Sequence, residues 1–547
     1  MMSNSPQKLS RGALIGLVVG SMIGAGIFSL PARFGQATGV LGALIAWTIA
    51  GVGMLMLAFV FQRLAQRKPE IDAGIFAYAK DGFGPYLGFI AAFGFWAGTC
   101  VGNVSYWITI SNTLAVFGGV PTEETGFVLK FLSGFTGPTG EVSLQALIVS
   151  SVAVWLFHML ILRGVKEASG LNKIVTIAKI LPIFIFILVL IRFFQLDLFT
   201  GNFWGAGDNS FSSIMSQVNR TMLITVFVFV GIEGASVYSR YAKNRQDVGV
   251  ATVLGFIGVL CIMMLVTLLS YGVVAQEQLA NMPNPSMMSL LTELVGTWGG
   301  ILIGIGLIVS VLGAYLSWSL LAAEVLWSAA KYHIVPKRLA IESDKKVPAA
   351  ALWLTNLTIQ GFLILTYFSN DAFVVTQNLT SSLSLIPYFL VAAYAAKLVL
   401  INDSSYATEP LGKRSDLIIA SIATLYSFAM LLTAGIEKLL LTVLIFLPGS
   451  IMYILAKREQ KQKWFTRSES IVFGVIVLAS VVTVYGIAAG KSTIFNVSAP
   501  ISSDIEDIDN CFGKVTVLFE DGHYECQATD VPLIENDINT SISVEKP

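Results

Sequence analysis

Residues 20–28 read Gly-Ser-Met-Ile-Gly-Ala-Gly-Ile-Phe, inside a hydrophobic run that extends from about residue 12 to residue 34. Three glycines within this stretch weaken a helix by roughly 1 kcal/mol each relative to alanine, and glycine also lets a ligand approach the backbone closely. Tight packing of helices through small residues is the alternative, and it is common in membranes. The stretch therefore predicts either an interrupted membrane helix or a close helix–helix contact.

A second stretch of this kind, residues 227–235, reads Phe-Val-Phe-Val-Gly-Ile-Glu-Gly-Ala. Glu233 lies between two glycines near the middle of its hydrophobic run, where insertion scales give a carboxylate a cost of about 2.5–3.5 kcal/mol. Such a residue normally faces a polar cavity, although pairing with a neighbouring helix is the alternative. The two stretches lie in the first and sixth hydrophobic runs. In transporters with inverted repeats, discontinuous helices at matching positions of the two halves form the substrate site.

The composition of the 547-residue chain indicates a membrane protein. Hydrophobic residues make up 55% of it and charged residues only 12%, against about 25% charged residues in soluble domains. This excludes a soluble enzyme, a nucleic-acid binder that depends on excess positive charge, and a disordered scaffold. Thirteen hydrophobic runs predict membrane-spanning helices, at about 12–34, 40–63, 84–117, 143–163, 172–195, 214–239, 249–274, 290–331, 349–369, 373–401, 415–435, 438–456 and 470–489.

The distribution of charge predicts the orientation of the chain. There are 34 Lys and Arg residues and 34 Asp and Glu residues, and most of the basic ones fall in alternate loops on the side of the N-terminus. The positive-inside rule places that side in the cytoplasm. Thirteen crossings place the acidic tail, residues 490–547, on the opposite side. In this tail, residues 514–528 predict a small hairpin, and Cys511 and Cys526 form either a disulfide or two free thiols.

No pattern in the sequence indicates an enzyme. The three histidines are far apart, so the spacing of a metal site is absent, and no Gly-x-Ser-x-Gly elbow is evident. We therefore expect no catalysis, no metal, no cofactor and no nucleic-acid partner.

Further polar residues inside the hydrophobic runs suggest a cationic or zwitterionic substrate. Thr99 and Asn103 lie in the third run, where Asn103 can hydrogen-bond a substrate. In the eighth run, Trp318 can stack on a cation, and Glu324 is a second intramembrane acid about 9 Å further along the helix. Lys179 in the fifth run is a buried base that can replace a metal cation or titrate. Interhelical hydrogen bonds and ion pairs are the competing explanation.

Residues 24–28, 231–235 and 67–74 resemble the amino acid–polyamine–organocation superfamily. Within it, the chain is most similar to the basic amino acid/polyamine antiporters, and among these to the arginine/ornithine exchangers, over about residues 10–490. The resemblance implies an all-α polytopic fold with a LeuT-like 5+5 inverted repeat and 12–13 transmembrane helices. The implied parts are a cytoplasmic N-terminus (1–11), a ten-helix transport core (12–401), peripheral helices (402–489) and an extracytoplasmic tail (490–547).

The resemblance also implies roles for individual residues. Those with a substrate-binding role are Met22, Ala25, Gly26, Thr99, Asn103, Phe227, Gly231, Glu233 and Trp318. Those with a gating role are Phe95, Glu233, Trp318 and Tyr388. Lys179 and Glu324 are implied as coupling residues or fixed charges, and Lys179 resembles a lysine that occupies the sodium position in proton-linked relatives. Phe227 replaces a tryptophan of arginine/agmatine exchangers, which suggests a different substrate pair.

The leading hypothesis is a membrane antiporter that exchanges arginine for ornithine by alternating access in the bacterial cytoplasmic membrane. One alternative is another exchange pair, namely lysine/cadaverine, histidine/histamine or arginine/agmatine. Another is a proton-coupled symporter or a uniporter for an amino acid. A channel or a sensor is disfavoured because the sequence contains neither a repeated pore-lining segment nor a sizeable soluble signalling domain. The expected partners are basic amino acids or amines and the lipid bilayer, and relatives suggest a homodimer.

Overall fold

The computed structural model describes residues 10–71, 74–119, 126–136, 142–164, 168–205, 209–233, 243–369, 371–408 and 412–488, together with two strands at 515–518 and 524–527. The chain divides into two compact units, Met1–Phe495 and Asn496–Pro547. By length and composition, ten helices in the described part of the chain can each cross a membrane, and one bent pair of helices makes an eleventh. The predicted all-α polytopic fold is confirmed.

The first half of the helical unit begins with an interrupted helix. Helices α1 (Arg11–Met22) and α2 (Gly26–Ala37) are bent by 47° at the glycine-rich stretch. The helices that follow are α3 (Val40–Arg67), α4 (Ile75–Phe83), α5 (Pro85–Gly118), α6 (Phe127–Ser133), α7 (Leu144–Leu162), α8 (Ala168–Phe193) and α9 (Leu196–Gly201).

The second half also begins at an interruption, because α10 (Phe211–Phe229) ends in a turn that includes residues 230–233. The helices that follow are α11 (Arg245–Ser270), α12 (Gln276–Ala280), α13 (Ser286–Val295), α14 (Thr297–Lys331), α15 (Ala349–Thr366) and α16 (Ala372–Leu400). A short 3-10 helix, Lys337–Ala340, lies between α14 and α15. The ten helices and the bent pair correspond to eleven of the thirteen predicted spans, and α8 and α10 correspond to the other two. The amino-terminal half of α10 is polar, which explains its low hydropathy.

The described helices of the two halves correspond in part, and one detail makes the correspondence specific. The short helices α4 and α13 each end at a glycine, Gly84 with φ +93° and Gly296 with φ +86°. Each glycine then precedes a very long helix, α5 with 34 residues or α14 with 35 residues. Glycine adopts positive φ without steric cost. Because each half contains five predicted crossings, an odd number, the second half starts on the opposite side of the membrane, as an inverted repeat requires.

The remaining helices of this unit are α17 (Ser404–Thr408), α18 (Lys413–Thr433), α19 (Ile436–Glu459) and α20 (Arg467–Ala488). Ion pairs join α18 and the segment before it to the end of α3. Asp416 is buried in the first turn of α18 and pairs with Arg63 at 3.1 Å and with Arg67 at 3.3 Å. Asp403 pairs with Lys68 at 3.1 Å.

The outer surfaces of several helices are strongly apolar. Leu188 on α8, Leu425 on α18 and Leu478 on α20 are 63%, 69% and 67% exposed. In water these side chains would form unfavourable patches, whereas in a bilayer they face lipid tails. The exposed surface therefore agrees with the membrane location that the hydropathy predicts.

The second unit contains a hairpin of two strands, β1 (Val515–Leu518) and β2 (Tyr524–Gln527). The strands are antiparallel, with Val515 opposite Gln527 and Leu518 opposite Tyr524. The predicted hairpin is confirmed. Cys526 lies in β2, whereas Cys511 lies outside the described residues, so the disulfide stays a prediction.

Candidate functional site

A cavity lies where the interruption between α1 and α2 meets the end of α10. Its lining residues are Ser21, Met22, Gly24, Ala25, Gly26, Thr99, Gly102, Asn103, Tyr106, Phe227, Val228, Val230, Trp318 and Thr380. Seven of the nine residues expected to bind substrate are among them. The other two, Gly231 and Glu233, follow the lining residue Val230 in the chain. The structure thus brings the expected residues together, and their roles stay predictions.

The two interruptions are joined by side chains and by a close backbone contact. The Ser21 hydroxyl donates to the Gly231 carbonyl oxygen at 2.8 Å, and the Trp318 indole nitrogen donates to the Ser21 carbonyl oxygen at 3.2 Å. Gly231 has φ +112°, and a Cβ atom there would lie 2.9 Å from the Ser21 carbonyl carbon. Only glycine meets both requirements at this position.

The interruptions expose backbone groups of both polarities to the cavity. Ala25 and Gly26 line it at the amino end of α2, where the first N–H groups of a helix lack partners within the helix. This end carries a partial positive charge and suits a carboxylate. Met22 and Val230 line it at the carboxyl ends of α1 and α10, where carbonyl groups suit an ammonium group. The cavity can therefore bind both ends of an amino-acid backbone.

Two aromatic rings lie directly against the glycines of the first interruption. A Cβ atom on Gly24 would lie 2.8 Å from the Tyr106 hydroxyl oxygen, and one on Gly26 would lie 2.9 Å from the Phe227 ring. The cavity is narrow, with about 30 Å³ open to the centres of water molecules. That is space for about two waters. An arginine can enter only if the surrounding side chains or helices move.

Neutral acceptors are available for a basic side chain. The Asn103 Oδ1 and Thr380 Oγ1 atoms are buried and have no hydrogen-bond partner within the described part of the chain. The Asn103 Nδ2 atom donates to the Ser319 hydroxyl at 3.4 Å, and the Thr99 hydroxyl donates to the Phe95 carbonyl oxygen at 2.8 Å. Among the described lining residues none is charged. The site therefore offers dipoles and aromatic faces rather than an ion pair.

The expected gating residues form two pairs beside the cavity. Glu233 is fully buried, and its Oε2 atom accepts hydrogen bonds from the Tyr388 hydroxyl at 2.6 Å and from the Gly231 N–H at 3.3 Å. Phe95 lies with its ring centroid 6.4 Å from that of Trp318. Glu233 thus lies in the turn of the second interruption, three residues after the lining residue Val230.

The two expected coupling residues differ in position. Lys179 is buried on α8, and its ammonium group donates to the Gly20 carbonyl oxygen at 2.7 Å, next to the first interruption. Glu324 is half-buried on α14, six residues beyond Trp318, and it is not among the residues that line the cavity. Lys179 therefore lies at the first interruption, and Glu324 follows Trp318 on α14 outside the described lining.

Several lining residues were not expected from the sequence. Tyr106 lies one turn after Asn103 on α5, and the helical repeat from Asn103 would have identified it. Thr380 begins the polar run Thr-Ser-Ser at 380–382 inside a hydrophobic stretch. Like Glu233, it is a polar residue within a predicted membrane span, and this could have marked it as a candidate. Ser21 and Gly24 lie within residues 20–28, where the glycines indicate an interruption without showing which residues face the cavity.

Comparisons with known proteins agree with this geometry. A family model for amino acid permeases matches residues 9–456. The arginine/ornithine antiporter of Pseudomonas aeruginosa is 45% identical over 500 residues, which cover 90% of this chain and 100% of that protein. The putative arginine/ornithine antiporter of Escherichia coli strain K12 is 39% identical over 476 residues, or 87% and 98% of the two chains. The L-lysine transport protein of Corynebacterium glutamicum is 37% identical over 496 residues, or 88% and 95%.

Proposed function

Because the chain belongs to the amino acid permease family, we propose that it exchanges arginine for ornithine across a bacterial cytoplasmic membrane. The observation that carries this proposal is the 45% identity to an arginine/ornithine antiporter over that protein's whole length. The family match also confirms the resemblance noted in the sequence. The arrangement of the cavity supports the proposal, since it offers groups for both ends of a basic amino acid.

The backbone groups at the interruptions hold the head group of the substrate. The α-carboxylate binds at the amino end of α2, near Ala25 and Gly26, where unpaired N–H groups and the helix dipole favour an anion. The α-ammonium group binds to carbonyl groups at the ends of α1 and α10. These contacts are the same for arginine and ornithine, so they do not distinguish the two substrates.

The basic side chain of the substrate binds to neutral groups. Asn103 Oδ1 and Thr380 Oγ1 accept hydrogen bonds from the guanidinium or ammonium group, and the Trp318 ring stacks on the cation. An acceptor without charge binds a cation less tightly than a carboxylate would. Both substrates can therefore be released on each side, which exchange requires.

Alternating access follows from rocking of one group of helices against the other. Phe227 closes the cavity on one side, and the pairs Phe95–Trp318 and Glu233–Tyr388 lie on the cytoplasmic side of it. Lys179 supplies a fixed positive charge at the first interruption, so no metal cation is needed there. No covalent step is required, and the protein acts as a transporter rather than an enzyme.

The basic loops place the N-terminus in the cytoplasm, and the tail is then extracytoplasmic. We propose that residues 12–401 form the transport core and residues 402–489 the peripheral helices. We also propose that the protein forms a homodimer, as the family resemblance suggests.

Labelled arginine uptake into proteoliposomes tests the exchange. Vesicles are either loaded with ornithine or left without amino acid, and no pH or sodium gradient is applied. We expect uptake only into the loaded vesicles, because the substrate-free protein does not complete the cycle. Equal uptake into both kinds of vesicle would reject obligatory exchange, and no uptake into either would point to another substrate pair.

Proton-coupled uptake of a basic amino acid is the second candidate. The buried hydrogen bond between Glu233 and Tyr388 favours it, because an intramembrane carboxylate beside a substrate site can carry a proton. The similarity to an L-lysine transport protein agrees with a basic substrate for either candidate. An inward pH gradient that drives net lysine or arginine uptake into vesicles without internal amino acid would establish this second candidate.

A further inference from the structure

A second cavity lies about two helical turns from the first and shares three helices with it, namely α2, α10 and α16. Its polar lining includes Arg33, Asn219, Arg220, Asn378, Thr433 and Lys438, and it is called the basic vestibule below. Arg33 follows the cavity residue Gly26 on α2 by seven positions, and Arg220 precedes Phe227 on α10 by seven, or about 10 Å along each helix. Helix α10 packs against both α2 and α16, so the vestibule and the cavity lie one above the other along the same three helices.

The vestibule is at the end of the helical unit that is distant from the start of α1. The carboxyl ends of α2 and α18 and the amino ends of α10, α16 and α19 contribute its lining. With a cytoplasmic N-terminus, as proposed above, this is the extracytoplasmic mouth. A substrate that arrives from outside therefore meets the vestibule before it meets the cavity.

The charge of the vestibule is opposite to what a purely cationic substrate would require. Arg33, Arg220 and Lys438 line it, and no acidic residue is among its described lining. Asp371 interacts electrostatically with Arg33, and Glu437 does so with Lys438, but both lie outside the lining. Three cations at the mouth repel a diamine and attract the carboxylate of an amino acid.

The Arg33 guanidinium group is only partly engaged. One of its terminal nitrogens donates to Gln36 Oε1 at 3.1 Å, whereas its buried Nε–H has no hydrogen-bond partner in the described part of the chain. A buried N–H without a partner is costly, and a guanidinium group pairs with a carboxylate through two parallel hydrogen bonds. Arg33 therefore lines the vestibule with N–H donors beyond the one bound to Gln36, and these can bind a carboxylate.

The vestibule is large enough for a whole amino acid in the conformation described. It has about 280 Å³ open to the centres of water molecules, against about 30 Å³ for the inner cavity. Substrate can therefore occupy the vestibule while the inner cavity is still contracted. The neutral side chains Asn219 and Asn378 add hydrogen-bonding groups to the wall.

We infer that the basic vestibule binds the α-carboxylate of an incoming amino acid through Arg33, Arg220 and Lys438, and thereby disfavours decarboxylated amines. This inference rests on the proposed exchange of amino acids. A basic amino acid carries a carboxylate that these cations hold, while its positive side chain extends away from them. Agmatine and argininamide carry the same side chain without a carboxylate, so they meet only repulsion at the mouth.

The test compares the wild type with the double variant Arg220→Gln/Lys438→Gln in ornithine-loaded proteoliposomes. The matched control is Arg192→Gln, since Arg192 is exposed at the end of α8 and does not line the vestibule. We expect the double variant to raise the KM for arginine about tenfold, as for the loss of one charge-assisted hydrogen bond. Inhibition of uptake by argininamide or agmatine should stay the same or improve. The preference for arginine over argininamide then falls by about the same factor as the KM for arginine rises. The control variant keeps the wild-type KM and the wild-type preference.

Two results would overturn the inference. One is an unchanged KM for arginine in the double variant, and the other is an equal loss of affinity for arginine and argininamide. Thermal stabilisation of the purified protein by arginine and by argininamide gives a second measurement that does not depend on transport. It distinguishes a failure of this inference from a failure of the proposed exchange, because the wild type can show a preference for arginine in binding even if it does not exchange. Stabilisation of the wild type but not of the double variant by inorganic phosphate, with the arginine preference intact in both, would assign the vestibule to inorganic anions and would also overturn the inference.

Discussion

Replacement of Gly231 by alanine tests whether the contact between the two interruptions is part of the transport cycle. Gly231 has φ +112°, and an added Cβ atom would lie 2.9 Å from both the carbonyl carbon and the oxygen of Ser21. It would also lie 3.0 Å from the Trp318 ring. Two of these three atoms belong to the backbone, so rotation of a side chain cannot relieve the overlap.

The size of the effect follows from the backbone conformation and the overlap. A residue other than glycine in a sparsely populated backbone region costs about 1–3 kcal/mol. A cost of this size changes the ratio of two conformations by about 5- to 150-fold. Because exchange requires both the conformation described and its alternative, depopulation of one of them slows the cycle. We therefore expect the rate of arginine/ornithine exchange to fall by at least about fivefold.

The assay is labelled arginine uptake into ornithine-loaded proteoliposomes, normalised to the amount of reconstituted protein. Gly16→Ala in α1 is the matched control, because a Cβ atom there meets no atom within 4 Å, and it should exchange at the wild-type rate. Thermal melting of each purified variant identifies any that fail to fold. If Gly231→Ala does not fold, Ser21→Ala removes the hydroxyl that bonds the carbonyl oxygens of Gly231 and, within α1, of Val18, and a reduction of a few-fold is expected. Wild-type exchange by a folded Gly231→Ala protein would refute the argument.

Four further predictions concern other parts of the chain. Glu233→Gln should reduce exchange at least about tenfold in the same assay, because it removes a fully buried carboxylate beside the interruption; normal turnover would contradict a role in gating. Asn103→Leu should raise the KM for arginine about tenfold, since it removes a hydrogen-bond acceptor for the charged side chain, and an unchanged KM would remove Asn103 from the site. Replacement of sodium by choline should leave wild-type exchange unchanged, and a sodium requirement measured in this way would exclude the proposed fixed charge. Burial raises the pKa of the Asp403 carboxyl, but hydrogen bonds from Ser405 and Lys68 together lower this pKa by more than burial raises it. The pKa of Asp403 therefore lies below its ordinary value. The resulting stability is present above the unfolded-state pKa of about 3.9 and is lost as the pH falls through the lower folded-state pKa. Asp403→Asn should therefore lower the melting temperature at pH 7, and the difference from wild type should shrink below about pH 4; a difference independent of pH would contradict this.

The interruptions could be predicted from the sequence because their cause is local. The glycines at 20, 24 and 26 and the Gly-Ile-Glu-Gly stretch weaken helices wherever they lie, so both breaks follow from composition within one span. The repeated short helix and glycine before α5 and α14 give an uneven signal. Gly84 is followed by Pro85, which marks a break between helices, whereas Gly296 has no such neighbour, and only its φ value shows that it ends one helix and begins another.

Contacts between distant residues could not be derived from spacing. Glu233 marks the site, as a carboxylate in a hydrophobic span should, but its partner Tyr388 lies 155 positions later in the chain. The spacing of Trp318 and Glu324 places them on one helix without showing which of them reaches the cavity. In the same way, Arg33 and Lys438 are about 400 residues apart, and only the packing of five helix ends brings them into one vestibule.

The neutral lining of the inner cavity leaves each substrate to carry its own charge across the membrane. Movement of one net charge across a membrane changes the free energy by about 2.3 kcal/mol per 100 mV. None of the described lining residues is charged, and inward arginine and outward ornithine each carry a single positive charge. In one-for-one exchange the two contributions therefore cancel. At equilibrium the inside-to-outside ratio of arginine then equals that of ornithine at any voltage. A cell that accumulates ornithine therefore draws in arginine even when its membrane is depolarised.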